Sequence, residues 1–451
     1  MRRWLITSML LFFATATSFS QTAPQKAPKS LTLDQAVQIA LEKNISVLTA
    51  QYTLEGQQSA VTAAYGNLLP TLSANGNWQR TQSDRQSTFI QGIGNIPLRQ
   101  VATTNSFNTS IGSSLLLFNG FANTAGVRRA TANAASAEQT LDRDRQSVVF
   151  QVQTLYSNVL RDEELLKVNE DNLKRDRRQL EQIVESSRVG SKAIADVYRQ
   201  QVQVANDELA LIQAQSTYDK AKADLIFALG LTVMDEYDFH DPSIKPDVDT
   251  TEFNAVNAQY RDLPSLVNEA LGVRPDYLSA VENVNAANSS VTVAMGGHFP
   301  SISAFASYGL NSTDLGSLSD NRSLLWGLSI SFPLFSGWQI TNQVQQAKVN
   351  LKTAEQQLSQ AERQVQVDIM KSLLDLEAAE KQVQVTVEGV ISATEDQRTA
   401  AEKYNLGAGT LLDLLTAEAN YTLALSNKVN AAYNYFLIKK QLEYNIGRIR
   451  Y

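Results

Sequence analysis

The chain has 451 residues, no cysteine and two histidines, and 39 Lys and Arg against 46 Asp and Glu leave a formal charge of −7. The absence of cysteine excludes a disulfide framework, a thiolate zinc site, an iron–sulfur cluster and a cysteine nucleophile, and the acidic balance speaks against nucleic acid as a partner, because phosphate binding needs a basic surface. Past residue 20 no apolar run approaches the ~20 residues of a spanning helix, so membrane contact by the mature chain would fall to strands.

Residues 1–20 read as a secretory signal peptide. Arg2 and Arg3 precede an apolar stretch, and the small residues Ser18 and Ser20 precede Gln21. No cysteine stands near that cleavage site, which excludes an N-terminal lipid anchor. Residues 21–30 read as a disordered lead-in.

A first unit then occupies residues 31–230: helix, strand, loop, strand, very long helix, tight turn, helix. Leu72, Ala74, Gly76 and Trp78 alternate with Thr71, Ser73, Asn75 and Asn77. The stretch 80–105 is polar, holds Gly92, Gly94 and Pro97, and reads as a long loop. Phe107, Thr109, Ile111, Ser113, Leu115 and Leu117 then alternate with Asn108, Ser110, Gly112 and Ser114. Residues 121–187 contain no proline and one glycine, Gly126. At ~1.5 Å per residue this predicts a helix of about 100 Å. Its apolar positions are sparse (Val148, Val152, Leu155, Val159), a seam too narrow for a globular core and suited to coiled-coil-like contact. Gly190 ends that helix and turns the chain. Residues 231–262 read as an irregular linker.

A second unit, 263–451, repeats the first. Residues 59–70 (SAVTAAYGNLLP) match 289–300 (SSVTVAMGGHFP), and Leu117–Gly120 matches Leu334–Gly337. Gly190 pairs with Gly407, Asp196 with Asp413, and Gly230 with Gly447. The register slips only between the strands and never along the long helices, where each inserted residue would rotate the seam by ~100°. The second strands alternate more cleanly: Ile302, Ala304, Ala306 and Tyr308, then Leu324, Trp326, Leu328, Ile330, Phe332 and Leu334. One apolar and one small, uncharged face is the pattern of a membrane barrel strand. A soluble antiparallel sheet alternates likewise, but its wet face usually carries charge. A stretch of polar residues, 311–322, separates this pair. Residues 338–405 again lack proline and hold one glycine, Gly389, with Val365, Ile369, Leu373 and Leu376 at helical spacing.

In this order and at these offsets, the residues resemble the TolC-like outer-membrane efflux family. The carriers are the duplication, the junctions Leu69-Pro70-Thr71-Leu72 and Phe299-Pro300-Ser301-Ile302, the junctions at Phe118–Gly120 and Phe335–Gly337, and the tip sequence 404–415 (YNLGAGTLLDLL). The resemblance implies a mainly α protomer with a membrane β-barrel. Three duplicated protomers would close a 12-stranded barrel that continues into a long periplasmic α-barrel. It implies a passive exit duct of a tripartite efflux or type I secretion system, with no catalysis and no cofactor. Its partners would be itself as a homotrimer, a periplasmic adaptor, indirectly an inner-membrane transporter, and the outer-membrane bilayer.

The resemblance also assigns roles. Asp413 would form an acidic constriction ring attracting cations; Thr410-x-x-Asp413 equally reads as a helix N-cap. The family's second acidic position is Thr416 here, so the ring would be weaker. Tyr404 and Asp196 match a pair that links neighbouring hairpins and holds the entrance closed, although Gly409 and Ala195 stand where companion latch residues can occur. Val189, Gly190, Leu406 and Gly407 would present adaptor-docking tips. Trp78, Trp326 and Trp338 suit membrane interfaces, and His240 and His298 point to no site. The rivals are a periplasmic adaptor, which would carry one hairpin, and a structural coiled-coil rod, which would not need the neutral strands. No phosphate-cradling loop, metal-spaced ligand set or nucleophile frame supports an enzyme.

Overall fold

The computed structural model describes residues 29–85, 88–92, 94–96, 100–241, 248, 251 and 253–449. The signal segment 1–20 and the lead-in through residue 28 lie outside the described residues. The first half runs β1 (Lys29–Leu31), α1 (Leu33–Lys43), α2 (Ile45–Gly66), β2 (Thr71–Arg85), β3 (Thr88–Ile90), β4 (Gly94–Ile96), β5 (Gln100–Asn119), α3 (Ala122–Arg188) and α4 (Ile194–Ala228). A connecting stretch carries β6 (Tyr237–Phe239) and α5 (Phe253–Gln259). The second half runs α6 (Leu263–Val273), α7 (Pro275–Gly296), β7 (Ser301–Ser312), β8 (Arg322–Ser331), α8 (Gln339–Asn405) and α9 (Leu411–Ile446).

The long helices follow from their composition. α3 and α8 are 67 residues each, free of proline and rich in Ala, Gln, Glu and Leu. Each begins just after a left-handed aromatic residue, Phe121 (φ 67°) or Trp338 (φ 64°), which follows a left-handed glycine. α3 packs with α4 and α8 with α9 as two hairpins, and α9 also lies along α3. The seam residues behave as their spacing predicts: Val148, Val152, Val159, Val365, Ile369 and Leu376 are buried.

The four main strands form one antiparallel sheet in the order β2-β5-β7-β8, so β2 and β8 are its edges. Ala74, Ile111, Tyr308 and Leu324 lie in one cross-strand row, and Leu72, Ser113, Ala306 and Trp326 in the next. Trp78 stacks on its partner Phe107 with ring centroids 6.4 Å apart. The other face is lined by Ser73, Gly112 and Ser307. Phe305 also sits on that second face, over Gly327, whose hydrogen leaves room for the ring.

Three expectations need correction. The lead-in 21–30 is not disordered at its end: Lys29–Leu31 pairs in parallel with Tyr237–Phe239, and the Tyr156 hydroxyl donates to the Leu31 carbonyl at 2.8 Å. Burial of Leu31 beside Phe239 and Tyr156 fixes this segment. The polar stretch 80–105 is largely strand rather than loop, because β2 and β5 continue as a ladder through Arg80↔Asn105 to Arg85↔Gln100. Its backbone bonds do not need an apolar face, and the threonines fit a pleated surface. Finally, a bulge between Leu116 and Phe118 puts Phe118, not Leu117, opposite Ile302, so the alternation of β5 changes phase at its end.

Two apolar clusters sit where the extra elements wrap the helices. One joins α1, α3, α4 and β6 around Tyr156, Leu225, Leu229 and Phe239. The other joins α5, α6, α8 and α9 around Ile369, Leu376, Leu442 and Ile446. Arg274, nearly fully buried, is satisfied beside the second by Asp276 (2.6 Å), Asp368 (3.2 Å) and the Asn445 carbonyl (3.1 Å). A buried guanidinium needs such pairing. The stretch 231–262 thus contributes β6 and Phe253 to these clusters.

Candidate functional site at the hairpin tips

Both hairpins turn through a left-handed glycine, Gly190 at φ 77° and Gly407 at φ 74°. The amide following each glycine returns to the carbonyl five residues back, Ser191 to Ser186 and Ala408 to Lys403, both at 2.8 Å. This is the six-to-one bond of a glycine-terminated helix. The residue before each glycine points outward, with Val189 74% and Leu406 84% exposed.

A small core ties the two hairpins together just behind the turns: Ile183 from α3, Val197 from α4, Tyr404 from α8, and Leu411 and Leu414 from α9. Tyr404 is only 3% exposed, and its hydroxyl has no hydrogen-bond partner among the described residues. The Lys192 ammonium lies 3.7 Å from the centre of the Tyr404 ring and donates to the Tyr404 carbonyl at 2.8 Å. Burial, and secondarily the charge of Asp196, push the phenol pKa up. Asp196 is thus near Tyr404, but within one protomer its carboxylate accepts from Arg199 at 3.3 Å, not from the phenol. Lys192 was not singled out by sequence reasoning; a lone lysine two residues past a turn glycine carries no signal.

Asp413 is exposed and locally held. Its carboxylate accepts from the Thr410 hydroxyl at 2.7 Å and the Thr410 amide at 3.1 Å, while its own amide donates to Thr410 Oγ1 at 3.2 Å. This reciprocal box satisfies two amides at the start of α9. The two bonds from Thr410, with Lys403 nearby, hold the carboxyl below the usual carboxylate range. The equivalent position at α4, Ala193, makes no side-chain cap. The cap reading of Asp413 is therefore realised, and its free side still faces solvent.

One layer behind the tip core, three carboxylic side chains meet: Asp176 of α3, Asp207 of α4 and Glu418 of α9, each under a tenth exposed. Sequence reasoning missed them. The signal was present, since each stands on its helix's apolar seam: Leu173 and Leu180 flank Asp176 at helical spacing, Val204 precedes Asp207, and Leu411 and Leu414 precede Glu418.

A four-stranded sheet mounted on two very long helical hairpins, with an exposed apolar residue at each turn, defines a class of sheet-capped double-hairpin subunits. Within it the chain belongs to the outer membrane efflux protein family, whose model matches residues 36–231 and 266–448, and it is an outer-membrane protein of the TolC-like kind. The chain is 25% identical over 333 residues to outer membrane protein TolC of Escherichia coli (strain K12), covering 70% of this chain and 64% of that protein. It is 24% identical over 424 residues to outer membrane protein TolC of Vibrio cholerae, covering 91% and 89%. The chain thus spans somewhat less than two thirds of the first of these relatives. Among solved structures, the outer membrane protein VceC of Vibrio cholerae matches with a TM-score of 0.75 at 19% identity, covering 92% of this chain and 96% of that one. The open-state outer membrane channel MtrE of Neisseria gonorrhoeae matches with a TM-score of 0.73 at 21% identity, covering 92% and 88%.

Proposed function

We propose that three copies of this chain close into one passive exit duct for efflux or secretion, with a barrel of twelve strands, four from each copy, in the outer membrane and the helices below it in the periplasm. The observation that carries this reading is an unfilled half of a contact the protomer makes once. Gly120 and Gly296 pack together at the seam between the two halves: a Cβ on Gly296 would lie 2.8 Å from the Asn119 carbonyl, and one on Gly120 would lie 2.7 Å from Phe299 Cβ. Their repeat counterparts, Gly337 and Gly66, meet nothing within 4 Å. Likewise α7 packs on both α3 and α8, whereas α2 packs on α3 with no comparable partnership with α8. The sheet has open edges at β2 and β8, and open edges are not tolerated in lipid. A second copy supplies all three missing partners by repeating the internal seam.

This reading treats 31–230 and 263–451 as duplicated units and 231–262 as an equatorial collar. Phe121 and Trp338, just before the long helices that follow the strands, sit at the periplasmic boundary of the outer membrane. Val189, Gly190, Leu406 and Gly407 dock a periplasmic adaptor, which links the duct to an inner-membrane transporter. Asp413 contributes a ring of negative charge at the constriction, and Tyr404 with Asp196 of a neighbouring copy latches the entrance. The duct performs no catalysis and uses no cofactor.

Gly66→Leu tests ring closure. Gly66 ends α2 with open space around it, so the protomer keeps its helical circular dichroism, while the detergent-solubilised trimer is lost by light scattering. A variant that remains as trimeric as the wild type would overturn the proposed closure.

A further inference from the structure

We propose that Asp176, Asp207 and Glu418 share protons as a pH-sensitive lock that holds α9 against α3 and α4 one layer behind the tips, and that losing those protons frees the second hairpin to move. The lock stands on the geometry of the protomer; its consequence for opening the entrance rests on the duct reading above.

Asp176 of α3 faces Asp207 of α4 and Glu418 of α9 across one cavity, so it stands where the first hairpin meets α9. The three line a cavity of about 330 Å³, which Leu415, packed against the tip core, also lines. Asp176 Oδ1, Asp207 Oδ2 and Glu418 Oε2 find no donor among the described residues. Gln200, fully buried, adds another unpartnered acceptor, because its amide nitrogen is spent on the Asp176 carbonyl at 3.2 Å. Against these four acceptors only the Arg175 Nε donor is left unpartnered in this layer among the described residues, and protons on the carboxyls would supply the missing donors.

The charge balance agrees. From α3, Arg175 and Asp176 face the cluster; from α4, Asp207; from α9, Glu418. Among the described residues Arg175 is the cation that acts on all three, and its Nη2 also donates to Asn172 at 2.9 Å and Thr422 at 3.2 Å. Three ionised carboxylates against one guanidinium leave two uncompensated negative charges in a buried layer, whereas two shared protons bring the group to neutrality. Burial, then the proximity of Asp176, pushes Asp207 up to about 8, while burial raises Asp176 and Glu418 as well. An acid whose folded pKa is raised binds its proton more tightly when packed. The lock is therefore fully made below the ordinary carboxylate range and is lost as pH rises toward about 8.

The test uses full-length protein in detergent, titrated from about pH 5 to about pH 9, a range chosen to span ordinary carboxyl titration and the raised values. Infrared difference spectra should show a protonated carboxylic acid disappearing near neutral pH or above, with the signal reduced in Asp207→Asn and in Glu418→Gln. Protection of α9 amides around 414–422, corrected for intrinsic exchange, should fall about tenfold or more over that range, one pKa unit of coupling or greater. It should stay flat in the Asp207→Asn/Glu418→Gln double variant. No titrating acid in the wild type, or the same loss of protection in the double variant, overturns the lock. The two single variants keep the infrared arm informative if the double variant misfolds. Single-channel conductance that ignores pH while both signals are present would overturn the lock's part in opening the entrance and leave the lock itself standing, whereas the absence of any channel activity would count against the duct reading.

Discussion

The two hairpin tips share a backbone and differ in how their return helices begin. Both turn on a left-handed glycine, both expose one apolar residue, and both close the turn with the same amide-to-carbonyl bond. Yet α9 starts with a reciprocal Thr410–Asp413 box and α4 starts at Ala193 with no cap. The acid that fills the matching position, Asp196, turns to Arg199 instead. Tip shape is thus set by the glycines, while the local stability of each tip is set three residues later. An entrance built from both would have one firm and one yielding finger per protomer, and Lys192, reaching from the yielding turn to Tyr404, adds a polar link to the small core that ties them together.

The largest expected effect comes from exchanging the caps. Thr410→Ala removes the cap hydroxyl and should cost the first turn of α9 about 1 kcal/mol, read as faster amide exchange at 411–415. Ala193→Thr should do the reverse at α4, since Asp196 already stands at the third helical position needed for a capping box. If Thr410→Ala leaves α9 exchange unchanged, the asymmetry between the tips is not a matter of capping.

A smaller effect separates capping from charge at the same acid. Asp413→Asn keeps a side-chain acceptor near Thr410 but removes the negative charge, so it should disturb α9 less than Thr410→Ala does. It should reduce cation selectivity, seen as a shifted reversal potential in asymmetric salt. Thr410→Ala should leave that selectivity nearly intact. The pH dependence has a definite sign. The Asp413 carboxyl titrates below its ordinary range because Thr410 bonds the ionised form. Its contribution is present above the unfolded pKa and is lost as pH falls through the lower folded value. The second tip should therefore loosen in strong acid, whereas the proton lock behind it tightens in acid. An unaltered reversal potential in Asp413→Asn would leave the residue a cap alone.

What could be read from sequence follows the same division between local and assembled chemistry. Helix length, the turn glycines and the strand faces are local, written in proline absence, period and spacing, and they matched the fold closely. The Thr410–Asp413 box was legible because a cap needs only three residues of separation. Three other features were not local. The bulge at Leu117 changes the face of Phe118 by pairing with β7, which a period-two reading of β5 alone does not contain. The continuation of β2 and β5 past Arg80 relies on backbone bonds between polar residues, which hydropathy does not register. Asp176, Asp207 and Glu418 each stand on an apolar seam, but nothing in the sequence says that the three seams meet. Only the crossing of three helices makes them one buried group. Lys192 belongs with these, since its target lies 212 residues away.

The smallest effect on the protomer, and the sharpest on the assembly, is expected for Tyr404→Phe. Within one protomer the phenol oxygen is buried and unpartnered. Deleting an unsatisfied buried hydroxyl removes a group that gains nothing from its site. The ring remains for the Lys192 ammonium to rest on, and the backbone carbonyl that Lys192 binds is untouched. Thermal stability of the folded protomer should therefore change little or rise slightly. If the hydroxyl is instead a latch to Asp196 of a neighbouring copy, its loss shows only where copies meet, as raised conductance in planar bilayers with the protomer's stability preserved. A rise in conductance in Lys192→Met equal to that in Tyr404→Phe would make the lysine bridge between the two tips of one protomer part of the same closure. Unchanged conductance in Tyr404→Phe with raised conductance in Lys192→Met would remove the phenol from the latch and leave the coupling of the firm tip to the yielding one as the element that holds the entrance shut.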